Sequence, residues 1–146
     1  MMFSKSFGYA LRGILYVADA GNGGDKIRVE DISRDTGIPK HFLGKIMNKL
    51  VKANMLGSTK GPSGGFYTNN QTLDIPLIQI FHLFDGTQLF DSCVLHLKKC
   101  DGENICPLHY KVEETRKNIQ FVLSDTTIND LLQEEKPDLL RKVSAG

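Results

Sequence analysis

The residues best suited to metal chemistry are clustered in one short stretch of the chain. CVLHLKKCDGENICPLHY, residues 93–110, contains all three cysteines and two of the four histidines. Six residues separate Cys93 from Cys100, five separate Cys100 from Cys106, and His109 follows three positions later. On the first turn of a helix, Cys106 and His109 would share a face. Three thiolates and one imidazole can complete a four-ligand shell around zinc or an iron–sulfur cluster.

Other interpretations of these cysteines remain open. Cysteines can fill a core as small hydrophobic residues, although gathering all of them in one polar loop is unusual for that role. A disulfide would leave a third cysteine over. A redox or cysteine enzyme could use Cys100 or Cys106 with His96 or His109 as base, but the sequence supplies no orienting Asn or Asp. A regulator with structural zinc, or with thiols that sense redox directly, is the main alternative to a cluster, although the absence of a C-x-x-C pair disfavours zinc.

Composition predicts an ordinary soluble domain. Hydrophobic residues make up 40% and charged residues 24% of 146 residues, which is typical of globular proteins. The uncharged run from Gly13 to Ala18 is too short for a signal-peptide core, and no apolar stretch approaches the roughly 20 residues of a membrane helix. We therefore expect a cytoplasmic protein, with no membrane segment and with reduced thiols.

Charge is unevenly distributed although the net charge is only +1. No Asp or Glu occurs between Thr36 and Leu73, whereas five lysines do. A locally basic segment in a balanced chain indicates contact with a polyanion on one face; a solvated lysine face is the alternative.

Hydrophobic periodicity predicts helices over residues 4–20, 29–36 and 39–54, and Gly37 ends the second one. The third helix has an apolar side and an opposite polar side. Two short helices separated by a glycine, the second of them basic, are typical of a helix-turn-helix that binds double-stranded DNA. The apolar side comprises Phe42, Leu43, Ile46, Met47, Leu50 and Val51, and the polar side comprises Lys40, His41, Lys45, Asn48, Lys49 and Lys52.

A β-hairpin is predicted next, from strands over residues 55–59 and 66–68 joined by KGPSGG. Glycine and proline at such a tip allow a tight turn and close approach to another molecule. The fold class is therefore mainly α with a small β-hairpin wing, that is, a winged helix-turn-helix DNA-binding domain. The wing residues expected at DNA are Lys60, Gly61, Pro62, Ser63 and Gly64.

Further helices are predicted over 75–84, 107–123 and 126–133, with His82 in the core of the first. The helix from 107 carries apolar positions at steps of four and three, typical of a seam between paired helices, and we expect it to form a homodimer. The seam comprises Leu108, Val112, Thr115, Ile119 and Val122. We predict three segments: a DNA-binding domain over 1–85, a cysteine-bearing loop over 86–106, and a dimerisation helix with a C-terminal tail over 107–146.

Together these motifs resemble the IscR/NsrR-type family of winged-helix bacterial regulators. The similarity rests on VEDISRDTGIPKHFLGKIMNKLVKANML, KGPSGGF and the three-cysteine loop, and extends through TTINDLL near the C-terminus. It implies a homodimeric DNA-binding regulator rather than an enzyme. An iron–sulfur cluster would control its operator affinity in response to iron–sulfur status, oxidative stress or nitric oxide. We expect repression as the output, since no activation surface is visible.

The resemblance also assigns residues. Cys93, Cys100 and Cys106 match the three cluster cysteines, and His109 matches the fourth ligand of the iron–sulfur-assembly branch, which favours a [2Fe–2S] over a [4Fe–4S] cluster. The nitric-oxide branch instead has an acidic ligand where this chain has Gly8, although its first cysteine gap is closer to the six residues found here. His41, Lys45 and Lys60 match positions that contact DNA in relatives. Gly44 replaces an acidic residue involved in choosing DNA sites, which predicts an altered site preference.

Overall fold

The computed structural model describes residues 2–95 and 106–134, and within them the chain is mainly helical with one two-stranded antiparallel sheet. This confirms the fold class predicted from the sequence. A 3₁₀ turn at Thr72–Asp74 and the short α5 were not predicted. The elements are α1 (Lys5–Ala20), α2 (Val29–Thr36), α3 (Lys40–Lys52), β1 (Gly57–Thr59), β2 (Gly65–Tyr67), α4 (Leu77–Asp85), α5 (Gln88–Asp91), α6 (His109–Asp125) and α7 (Ile128–Leu132).

Helix α1 forms the centre of the core. The Ser4 hydroxyl caps it by accepting a hydrogen bond from the Phe7 N–H at 3.1 Å. Ala10 and Ile14 are fully buried. At Gly13 a Cβ atom would lie 2.7 Å from the sulfur of Met47 on α3. The glycine therefore lets α1 and α3 approach closely, which fixes the position of the helix predicted to bind DNA.

The turn between α2 and α3 is defined by local chemistry and by α1. Gly37 has a φ of 75°, in the left-handed region that ends helices, and Pro39 precedes the first residue of α3. The Ser33 hydroxyl donates to the Ile38 carbonyl at 2.6 Å. Arg12 on α1 donates to the Thr36 carbonyl. These bonds hold the two helices of the helix-turn-helix at a fixed angle.

The wing is a short hairpin that is attached to the body at its base. Gly57 pairs with Tyr67 and Thr59 with Gly65. Ile27, just before α2, forms an isolated antiparallel bridge with Phe66, whose side chain is buried. The base of the wing is therefore held at the start of α2, and Asn48 of α3 lines one cleft together with wing residues such as Lys60.

The last helices close the core from the other side. Phe81 on α4 is buried and makes an edge-on contact with Phe7, with ring centres 5.3 Å apart. Helix α6 packs on α4. A bridge between Pro76 and Thr127 then fixes the start of α7. The segment predicted for dimerisation is thus in contact with the DNA-binding segment, and the predicted boundaries at 85 and 106 stay a prediction.

Two sequence-based expectations differ from the structure. His82 was expected in the core but is exposed, because the buried positions of α4 are Leu77, Ile80 and Phe81 and His82 lies on the other side. The predicted seam of α6 is divided: Ile119 packs on the core of its own chain, whereas 57% of Val122 is exposed. The helix contacts its own chain along one side and leaves another side open.

No helix in the part of the chain that the structure describes is long and apolar enough to cross a membrane.

Candidate DNA interface and cysteine site

Helix α3 separates its buried and exposed residues as the sequence predicts, with one exception. Leu43, Ile46, Met47 and Leu50 are buried. Phe42, expected on the buried side, is 51% exposed. The five positions predicted to contact DNA are all exposed and form one surface: Lys40, His41, Lys45, Asn48 and Lys49.

Two of these side chains have neighbours that sequence analysis did not foresee. The ring centres of His41 and Phe42 lie 4.4 Å apart, so the two side chains form an aromatic pair at the start of α3. The Lys49 ammonium lies 5.0 Å from the ring centre of Phe84, at the end of α4. Lys49 is therefore held beside the protein body, whereas Lys45 is simply exposed.

Gly44 lies in the middle of α3, where a Cβ atom would meet no other atom within 4 Å. Glycine in a helix interior costs up to about 1 kcal/mol relative to alanine. Packing does not require this residue, so its presence leaves an open space on the surface predicted to bind DNA.

The wing tip exposes backbone groups and one cationic side chain, that of Lys60. Lys60, Gly61, Pro62 and Ser63 are exposed. Gly64, also predicted to contact DNA, is buried, and a Cβ there would lie 2.3 Å from the Thr59 carbonyl oxygen. Gly64 therefore shapes the turn that presents the other four residues.

The cysteine site is described at both of its ends. Cys93 follows α5 and Cys106 precedes α6, and both are buried. Cys100 and His96 lie outside the described residues. Within the described ranges alone, no group of three His, Cys, Asp or Glu side chains forms a metal site.

His109 is positioned by the start of α6. Its backbone N–H donates to the Cys106 carbonyl at 3.0 Å, so the two residues lie within one turn. The imidazole is 18% exposed, and its Nε2 lies 3.9 Å from a carboxylate oxygen of Glu113. The pKa of Glu113 is lowered, mainly by a hydrogen bond from Lys117. Glu113 is thus held as an anion beside the predicted ligand.

Arg116 fixes the start of the cysteine loop to α6. It donates to the Ser92 carbonyl at 2.6 Å, next to Cys93. Both residues also line a cavity of about 770 Å³, together with Cys93, Phe84 and Asp85. The two buried thiols and the mostly buried imidazole are donors that a thiophilic metal or an iron–sulfur cluster requires, so the residues present fit such a group.

The open side of α6 carries large apolar side chains. Tyr110 is 70% and Phe121 66% exposed, and Val122 lies beside Phe121. Positions 110 and 121 are eleven residues apart, or about three turns, so they share one face of the helix.

Comparison with known proteins identifies the family to which this chain belongs. Residues 3–134 match the family model Rrf2, described as an iron-dependent transcriptional regulator. The chain belongs to the Rrf2 family. It is 36% identical over 141 residues to a protein of Aquifex aeolicus assigned as an HTH-type transcriptional regulator, covering 95% of this chain and 96% of that one. It is 25% identical over 127 residues to the regulator NsrR of Geobacillus kaustophilus, covering 86% of each chain.

Solved structures agree on the fold of this Rrf2-family protein. CymR, the global cysteine regulator of B. subtilis, superposes with a TM-score of 0.73 at 22% identity, covering 89% of this chain and 95% of CymR. IscR of T. potens superposes with a TM-score of 0.69 at 22% identity, covering 89% and 85%. The family is one of transcriptional regulators rather than enzymes, which confirms the function class predicted from the sequence.

Proposed function

We propose that this Rrf2-family protein is a homodimeric repressor whose operator affinity is set by an iron–sulfur cluster bound by Cys93, Cys100, Cys106 and His109. The observation that carries the proposal is the burial of Cys93 and Cys106 at the two ends of one loop, with His109 one turn beyond. Soft thiolate donors together with imidazole suit iron–sulfur clusters. A [2Fe–2S] cluster is favoured because His109 matches the fourth ligand of the iron–sulfur-assembly branch that the chain resembles.

The DNA-binding part of the proposal rests on one exposed surface. The polar side of α3 would contact base edges in the major groove, and the wing would contact the backbone or minor groove beside it. Cations bind phosphates irrespective of sequence, so binding should weaken steeply with salt. The residues proposed for this role are Lys40, His41, Lys45, Asn48 and Lys49 of α3 and Lys60, Gly61, Pro62 and Ser63 of the wing, with the buried Gly64 shaping the wing turn.

The open face of α6 supports a dimer. Large exposed apolar side chains at Tyr110 and Phe121 would be buried by the same face of a second copy. A two-fold dimer presents two α3 helices to two half-sites of a palindromic operator, and the distance between the helices must match the half-site spacing. Any change in the relative position of the two subunits therefore changes operator affinity.

The cysteine loop is well placed to produce such a change. It runs from α5 to the start of the proposed dimer helix, and Arg116 joins its first part to that helix through the Ser92 carbonyl. A bound cluster would supply covalent links among the loop and the helix start. A difference of about 1–3 kcal/mol between loaded and empty forms would change operator affinity some 5- to 150-fold. Loss of the cluster through iron shortage, oxidation or nitric oxide would be the signal.

Reconstitution without oxygen tests the cofactor. Wild-type protein should take up iron and sulfide and show visible absorption. His109→Ala should bind a cluster with altered absorption or lose it, whereas His82→Ala, which changes an exposed histidine on α4, should behave as wild type. Colourless protein with stoichiometric zinc would instead support a regulator with structural zinc. If the thiol-reduced protein takes up neither iron nor zinc, the cluster proposal is wrong, and direct redox sensing by the cysteines becomes the better explanation.

A further inference from the structure

A cleft of about 240 Å³ lies between the wing, the start of α2 and Asn48 of α3. We name it the wing cleft. Two cations, one amide and two hydroxyls contribute to its lining, and Glu30 is the one carboxylate among its lining residues, all of which belong to the described part of the chain. The polar lining comprises Arg28, Glu30, Asn48, Ser58, Thr59 and Lys60.

Arg28 joins the body to the wing across this cleft. The preceding residue, Ile27, exchanges two backbone hydrogen bonds with Phe66 of β2, each 2.8 Å long. The Arg28 guanidinium then donates through Nη1 to the Pro62 carbonyl at the wing tip, at 3.2 Å. Its side chain remains 54% exposed. Since a guanidinium has five N–H donors in a planar fork, several stay available for another acceptor.

Glu30 balances the cations of the unbound protein. One carboxylate oxygen lies 3.0 Å from the Lys40 ammonium at the start of α3, and the other lies 3.7 Å from Nε of Arg28. The pKa of Glu30 is lowered, mainly by the hydrogen bond from Lys40. A single anion thus stands between a cation of α3 and a cation of the wing cleft, where a second anion could replace it.

The geometry of a duplex determines which anion could enter. When α3 lies in the major groove and the wing lies over the neighbouring minor groove, the sugar–phosphate strand that separates the two grooves must run between them. That region is the wing cleft. Arginine binds phosphate through two parallel hydrogen bonds, which a lysine cannot do.

We propose that the wing cleft binds one backbone phosphate of the operator, with Arg28 and Lys60 as its cationic ligands and with Glu30 displaced from Arg28. This inference rests on the proposed use of α3 and the wing for DNA binding. Arg28 lies outside the lysine-rich segment that marks the interface in the sequence. Its role depends on a contact with Pro62, 34 positions away.

The salt dependence of binding tests this site. A duplex selected from random sequence by the wild-type protein is titrated with wild type, Arg28→Met and Arg34→Met. Arg34 is a matched control, because it is an exposed arginine of α2 that pairs with Asp31 and Asp35 and does not line the wing cleft. We expect Arg28→Met to reduce the steepness of log affinity against log salt by about 0.9 per half-site. The affinity that the variant loses relative to wild type should therefore shrink about three- to fourfold per half-site between 50 and 200 mM salt. Arg34→Met should leave the slope unchanged.

Ethylation interference locates the phosphate. Ethylation of one phosphate per half-site, between the major-groove and minor-groove contacts, should weaken wild-type binding more than it weakens Arg28→Met binding, because only Lys60 still contacts that phosphate in the variant. Arg28→Lys should restore most of the salt slope, since it keeps the charge. An unchanged slope and footprint in Arg28→Met would overturn the site, as would weaker binding at an unchanged slope, which would indicate only a misplaced wing. In either case, loss of DNA binding by Lys45→Ala would still support the proposed DNA interface. If Lys45→Ala and Arg28→Met both bind DNA as tightly as the wild type, the proposed interface itself is wrong.

Discussion

The Lys49 ammonium lies 5.0 Å from the centre of the Phe84 ring, which joins the helix predicted to bind DNA to the end of α4. Phe84 also lines the cavity beside Cys93. A cation over an aromatic face is attracted by the ring quadrupole. This contact is therefore a direct physical link between the cavity beside Cys93 and the proposed DNA surface.

The strength of that link can be measured with a double-mutant cycle. We expect Lys49→Met and Phe84→Leu to show a coupling of about 0.5–1 kcal/mol in the free energy of unfolding, as is typical of exposed cation–π pairs. Urea unfolding of the wild type, both single variants and the double variant gives the value. Strict additivity of the two substitutions would show that the contact contributes nothing.

Gly44 should be replaceable without loss of stability. Because a Cβ atom at this position meets nothing within 4 Å, Gly44→Ala should raise the free energy of unfolding by up to about 1 kcal/mol. Chemical denaturation checks this directly. The contrasting variant is Gly64→Ala, whose Cβ would lie 2.3 Å from the Thr59 carbonyl oxygen. Gly64→Ala should lower the free energy of unfolding by about 1–3 kcal/mol and displace the wing tip. Equal effects of the two substitutions would contradict this account of the glycines.

The dimer should depend on the open face of α6. Phe121→Asp would place a carboxylate where a second copy is proposed to pack, so sedimentation velocity should show a monomer. Phe42→Asp is a matched control, since Phe42 is 51% exposed, against 66% for Phe121, but lies on α3. We expect it to remain dimeric and to bind DNA more weakly. A dimeric Phe121→Asp variant would place the interface elsewhere.

The ion pair at the wing cleft predicts a pH dependence. The pKa of Glu30 is lowered, mainly by the hydrogen bond from Lys40. A lowered folded-state pKa means that Glu30 stabilises the protein above its unfolded pKa, near the ordinary value of 4.5, and that this contribution is lost as pH falls through the lowered value. Lys40→Met should raise the pKa of Glu30 toward 4.5, measured by carbon NMR of the carboxyl group, and Lys45→Met should not. Identical titration of Glu30 in all three proteins would refute the pairing.

The helix-turn-helix could be predicted closely because its signals are local. Gly37 ends α2 and Pro39 precedes α3, and both effects act within a few residues. The basic face of α3 follows from the same 3.6-residue period. The predicted start of β1 was two residues early, because Met55 and Leu56 pack in the core and pairing with β2 begins only at Gly57.

Other features could not be predicted because partners distant in sequence decide them. The exposure of His82 follows from which side of α4 meets α1 and α6, and an apolar run does not show this. The division of the α6 seam has the same cause. Arg28 gives no signal in the sequence, since its partner Pro62 is brought near it by the wing. The cysteine ligands are a different case: their types and spacing suggest the chemistry, and the structure adds the burial of Cys93 and Cys106.

Cluster control of DNA binding is tested by the operator affinity of one preparation measured in two states. Protein reconstituted with iron and sulfide without oxygen, and the same protein after removal of the cluster by chelation, are titrated on one operator at one salt concentration. The two dissociation constants should differ some 5- to 150-fold. Equal dissociation constants for the two states would contradict cluster control, and the protein would then be an Rrf2-family DNA-binding regulator whose affinity does not depend on a cluster.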